Sequence, residues 1–337
     1  MRPHTARASI AAGLVTVIVA LASGCTQTGS ESTRVDGAVV SSNPELATDP
    51  GIRVVGDIEY TASEGQSQLL DACLPPDFDP ATDPPRAAII VVHGGSWARG
   101  SKNDIAWRAV CQWLARSGYP AFGVDYRLAP EHPFPAAIDD LTAAVEWLRD
   151  PAQQRRFGVD PTRIGAFGGS AGGNLVALLG TRGSGPVTDG ARVASVVELS
   201  APIDLTGFAA TEDFVPVQLA YLGCTEESPC PAAVVASPTA WVDRSDPPFM
   251  VVHSTEERIP LAQAERFVST LRLAGVETTF VTVRGRMHSL AMIDADLKKR
   301  ILDFYEVTLG LRQLPQQPAN SDADAGPTEG PDVGTGD

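Results

Sequence analysis

Between residues 51 and 312, short apolar runs alternate with longer segments whose apolar positions recur at helical spacing. Residues 87–92 are apolar at every position, the pattern of a strand buried on both faces. The runs 120–124, 164–167, 193–199 and 249–252 read the same way, 54–60 and 68–74 read as leading strands, and 278–283 closes the series. Helical periodicity falls between them, over 105–116, 138–149, 171–179 and 262–273. This alternation predicts an α/β fold with a mostly parallel central sheet and helices on both faces. Residues 205–240 interrupt it with Pro, Gly and aromatic residues. An insertion at that point would lie over the carboxyl ends of the strands, where open α/β sheets bind ligands, so it is a candidate lid. No internal repeat and no second domain interrupts the series, which leaves one domain over 51–312.

The two ends of the chain follow different rules. Arg2 and Arg7 precede an apolar run over 8–23, too short for a spanning helix, and Gly24-Cys25 follows it. Residues 1–24 therefore read as a signal peptide. Leu21-Ala22-Ser23-Gly24-Cys25 resembles a bacterial lipobox, with Ala22 where Leu is favoured. That resemblance implies acylation of Cys25 and a protein held by lipid on the outer side of the cell membrane, with plain secretion or an uncleaved anchor as the alternatives. Residues 25–50, rich in small polar side chains, read as a flexible tether, and 313–337 as a disordered acidic tail with almost no large apolar residue.

Hydrophobic residues make up 43% of the 337, enough for a sizeable core. Net charge is −15, from 41 acids against 26 Lys and Arg, which argues against a nucleic-acid partner. Export would place the other four cysteines, Cys73, Cys111, Cys224 and Cys230, where disulfides persist. Cys224 and Cys230 bracket a short polar loop and are expected to pair; Cys73 and Cys111 sit in apolar contexts and are left open between pairing and plain burial. No CxxC and no His cluster suggests a metal.

Gly168-Gly169-Ser170-Ala171-Gly172 fits G-x-S-x-G between a strand-like and a helix-like segment. Small residues are needed there because the chain turns so sharply that larger side chains would collide. The spacing is not that of a dinucleotide loop, and no G-K-[ST] is present. Upstream, His93-Gly94-Gly95-Ser96-Trp97 directly follows the 87–92 strand and is similar to an HGGG-type oxyanion loop with Ser96 in the third Gly position. A third stretch, Asp125-Tyr126-Arg127-Leu128-Ala129-Pro130-Glu131, is expected to brace the strand end behind that loop.

With these three motifs the chain resembles the bacterial hormone-sensitive-lipase-like and related carboxylesterase group of α/β-hydrolases, over about residues 60–310. The resemblance implies Ser170 as nucleophile, with oxyanion donors from the backbone at Gly95 and Ser96, also Gly94, and at Ala171. It places the general base at His288, in the loop after the last strand; of the other histidines, His4 lies in the signal, His93 in the oxyanion motif, His132 in the Pro-rich segment, and His253 ends an apolar strand. The acid is an Asp in the family and a Glu here. Counting from the strand favours Glu257, and counting back from Pro260 gives Glu256. The activity implied is hydrolysis of small or medium acyl esters through an acyl-enzyme, without metal or cofactor. Formamidase or amidase action, deacylation of a polysaccharide (acetyl or feruloyl groups), and a catalytically silent binding module are the alternatives.

Overall fold

Alternate residues of the strand Arg86–Val92 divide between two cores: Ala88, Ile90 and Val92 face one side of the sheet, and Ala87, Ile89 and Val91 the other. Such a strand has no polar face because both of its faces are covered by helices. The computed structural model describes residues 43–226 and 228–310, together with the backbone of a two-residue ladder, Arg34–Val35 with Ala38–Val39. The sequence expectations for 1–24, Cys25 and 313–337 lie outside the described residues.

Eight strands form one sheet: β1 (Arg53–Ser63), β2 (Gln66–Leu74), β3 (Arg86–Val92), β4 (Ala121–Val124), β5 (Val159–Gly169), β6 (Ser195–Leu199), β7 (Phe249–Ser254) and β8 (Thr278–Val283). Their spatial order is β8-β7-β6-β5-β3-β4-β2-β1. The ladders on either side of β2 are antiparallel and the rest are parallel. Helices α2 (Ala136–Leu148), α4 (Ala171–Thr181) and α7 (Leu261–Leu273) supply one core, and α1 (Ile105–Arg116) and α8 (Ala295–Leu309) the other. Short α3 (Pro151–Phe157) precedes β5. The expected fold class is the observed one, an α/β-hydrolase sheet.

Two differences from the sequence expectations stand out. Helix α8 is additional to the expected helices, although Leu297, Ile301, Phe304, Tyr305 and Leu309 recur at helical spacing and are buried. The body also begins before residue 51. Asn43 donates from Nδ2 to the carbonyls of Leu290 (2.8 Å) and Ile293 (2.9 Å), and Leu46 is 1% exposed. Asp49 exchanges backbone hydrogen bonds with the Gln112 side chain and ion-pairs with Arg116. Residues 43–50 therefore dock on α1 and the segment after His288 instead of forming part of a free tether. A lone Leu among polar residues gives no periodicity from which to read this.

The 205–240 insertion folds as α5 (Val215–Leu222), α6 (Ala232–Val235) and a 3-10 turn at Pro238–Ala240. Cys224 is bonded to Cys230, and Cys73 on β2 to Cys111 on α1.

Candidate active site

The turn between β5 and α4 consists of one residue. Ser170 sits there at φ 56°, ψ −123°, a backbone conformation that non-glycine residues rarely adopt, and its N–H donates to the Leu199 carbonyl at 2.8 Å. A Cβ on Gly172 would collide with the carbonyls of Val92 and His93, which is why the turn fits so closely against the end of β3.

Past β3 the chain enters the glycine loop. Gly95, at φ 128°, offers its carbonyl to the N–H groups of Ala98 and Arg99, both at 3.1 Å. His93 is buried and stacks on Tyr126 with centroids 4.2 Å apart, and the Tyr126 hydroxyl donates to the His93 carbonyl at 2.9 Å. The Ala129 N–H donates to the Trp97 carbonyl at 2.9 Å. Asp125 accepts the Lys102 N–H at 2.7 Å, while Lys102 Nζ, buried, pairs with Asp57 (2.7 Å) and Asp71 (2.8 Å). The 125–136 segment thus clamps both ends of the loop. Trp97 stacks on Tyr221 of α5 at 4.1 Å, joining the loop to the 205–240 insertion. Among the described residues the backbone N–H groups of Gly94, Gly95, Ser96 and Ala171 meet no acceptor.

The loops after β7 and β8 bring a carboxylate to an imidazole. His288 Nδ1 is hydrogen-bonded to Glu257 Oε2, and Glu257 Oε1 accepts the Ser254 N–H at 3.2 Å. Burial pushes the Glu257 carboxyl up, but the bond from His288, the nearby His253 ring and the Ser200 hydroxyl outweigh it, so its pKa lies below the usual glutamate value. His253 is fully buried; its Nε2 donates to the Ile259 carbonyl at 2.8 Å and lies 3.4 Å from Glu257 Oε1, and burial lowers its pKa, keeping the ring neutral. Glu198 on β6 is buried as well. Loss of solvation, and secondarily the charge on Glu257, raise its pKa well above the ordinary value against one N–H bond from Ala201 at 3.1 Å. Glu256 is exposed, with Arg286 Nε 3.7 Å away.

Ser170, His288, Gly94, Gly95 and Ser96 line one open cavity of about 410 Å³ at the carboxyl edge of the parallel strands. Glu257 stands behind His288, and Ala171 opens α4 beside Ser170. A second cavity, about 420 Å³ between α2, α4 and the 182–192 segment, shares no lining residue with the first, and its lining has no histidine to activate the Ser184 or Thr142 hydroxyl. Sequence reasoning places His253 at a strand end without giving it a role, and misses Glu198 and Ser200, which lie within an apolar strand or at its end; a polar residue inside an otherwise apolar strand is the available signal.

Strand order, the strand–Ser–helix turn and the site at the carboxyl edge define an α/β-hydrolase fold. Residues 70–271 match the BD-FAE family, and the chain belongs to that family. Esterase LipC of Mycobacterium tuberculosis is 31% identical over 240 residues, covering 68% of this chain and 58% of that protein. Esterase LipQ of the same organism is 28% identical over 270 residues, covering 76% and 63%. The chain thus spans about three-fifths of these two relatives. Among solved structures, the Thermogutta terrifontis esterase Est2 superposes with a TM-score of 0.64 at 23% identity, over 82% of this chain and 98% of that one. A truncated carbohydrate esterase from gut microbiota gives 0.64 at 23% identity, over 76% and 96%.

Proposed function

We propose that the protein is an exported serine carboxylesterase that cleaves small or medium acyl esters through an acyl-enzyme on Ser170. The observation that carries the reading is the convergence of Ser170, in its strained turn, and His288, backed by Glu257, on one cavity whose wall also presents unsatisfied N–H groups. The Ser170 hydroxyl attacks the ester carbonyl while His288 Nε2 takes its proton. Negative charge then builds on the former carbonyl oxygen, which the Gly95, Ser96 and Ala171 N–H groups, with Gly94, would bind. His288 returns the proton to the departing alcohol, and a water repeats the sequence to release the acid. Glu257 holds the imidazole tautomer and balances the imidazolium. The names of the relatives, esterases both, support ester hydrolysis.

Arg2, Arg7, the apolar run and Cys25 support export with a lipid anchor at Cys25. Replacing Ser170 by Ala tests the central claim: turnover of p-nitrophenyl butyrate should vanish while the circular dichroism spectrum and melting temperature stay close to those of the parent. A variant that turned over near the parent rate would refute it.

A further inference from the structure

Two arginines, Arg99 and Arg258, line the Ser170 cavity. Arg99 closes the glycine loop, its backbone N–H on the Gly95 carbonyl, and Arg258 directly follows Glu257. Neither forms an ion pair within 4.0 Å among the described residues, although Arg258 lies close enough to Asp213 for its charge to act on that carboxylate. Arg258 is held in place nonetheless: its guanidinium lies 5.6 Å from the centroid of Phe214, which packs 6.2 Å from Trp97. Asp104 is the one carboxylate in the lining, and one of its oxygens already accepts the Ser101 N–H at 3.2 Å. Within the lining two arginines accompany one carboxylate, in a chain that carries 41 acids against 26 bases; the further carboxylate, Glu257, stands behind His288 and is bonded to it. A surface drawn at random from that composition would be acidic, so two arginines that line the cavity of Ser170 call for a ligand of opposite sign.

We infer that the site takes esters bearing a second, anionic group, a carboxylate within one cavity length of the scissile carbonyl, and that Arg258 and Arg99 determine this specificity. The inference deepens the esterase reading and rests on it. A volume of about 410 Å³ corresponds to a cube roughly 7 Å on edge, so a carboxylate at the far end of a six-carbon diacid ester reaches the wall opposite Ser170. Guanidinium is suited to this role because its planar fork meets a carboxylate with two parallel bonds.

The test compares pairs of esters that differ by one carboxylate, using the full-length protein. On the acyl side the pair is p-nitrophenyl hexanoate and mono-p-nitrophenyl adipate. On the alcohol side it is phenyl hexanoate and the hexanoyl ester of 4-hydroxybenzoate. In one of these pairs Arg258→Gln should lower the anionic-to-neutral ratio of kcat/KM about threefold, the Arg258→Gln/Arg99→Gln double variant about tenfold, and Arg258→Glu more than Arg258→Gln, the scale expected of partly solvated pairs. The pair that responds tells on which side of the ester the anion sits. Ratios that stay constant in both pairs, with the neutral esters still hydrolysed, overturn the anionic specificity alone. Failure of the unsubstituted protein to hydrolyse any of the four esters overturns the esterase reading, and the specificity falls with it.

Discussion

Glu256 and Glu257 are neighbours in sequence and differ in everything they touch. Glu257 is bonded to His288 and the Ser254 N–H, whereas Glu256 is exposed, with only Arg286 nearby. Glu257→Gln removes the charge that faces the imidazole and should cost at least about a hundredfold in kcat. Glu256→Gln should stay within a few fold, and Glu257→Asp should be impaired because its carboxylate falls one methylene short. The reverse ranking, read with p-nitrophenyl butyrate, would hand the role to Glu256. Sequence alone leaves this pair open because two landmarks, the strand end and Pro260, count to different residues. In the structure Glu257 is the one of the two that meets the imidazole, in a loop held by contacts with no sequence signature, such as the His253 ring bonded to the Ile259 carbonyl across the turn. The candidate nucleophile Ser170 and candidate base His288 are legible because a sharp strand-to-helix turn needs small neighbours, and because the other histidines have competing places.

Glu198 yields a prediction of opposite sign to most carboxylates. Its folded-state pKa is raised well above the unfolded value by burial, so its contribution to stability is intact below the unfolded pKa and is lost as pH rises toward the folded one. Glu198→Gln keeps the shape and the acceptor for Ala201 without that penalty. Its melting temperature should match the parent near pH 4 and exceed it at pH 8 by about 3 °C or more, the shift that ~1 kcal/mol produces in a domain of this size. A loss at pH 8 would mean that the carboxylate is ionised and stabilising in the fold.

At the scale of elements, the buried strands are the most legible part, since a continuous apolar run as short as 87–92 fits a strand covered on both faces and little else. Helix α8 carries a readable apolar stripe, and the docking of residues 43–50 carries none. The two disulfides differ in how much chain they close: Cys73–Cys111 spans 38 residues between β2 and α1, and Cys224–Cys230 spans 6 within the insertion. Loop-closure entropy then predicts roughly 4 kcal/mol for the first and roughly 2 kcal/mol for the second. Urea midpoints of the Cys73→Ala/Cys111→Ala and Cys224→Ala/Cys230→Ala double variants should fall in that order. Equal losses would show that constraint of the unfolded chain is not what these bonds contribute.

For the whole molecule, the lipid anchor proposed at Cys25 predicts partition into detergent and a mature N-terminus at that residue, both abolished by Cys25→Ser. Mass spectrometry finding an unmodified N-terminus elsewhere would remove the anchor and leave secretion. The docked segment that begins at Asn43 gives such an anchor a length. With residue 43 fixed against the carbonyls of Leu290 and Ile293, just beyond His288, the 17 residues 26–42 are the whole leash between lipid and body. A stretch of 17 residues reaches at most about 60 Å. So anchored, the body would be held from the side that carries His288, and the enzyme would forage in a shell of water no more than a few tens of ångströms deep above the bilayer.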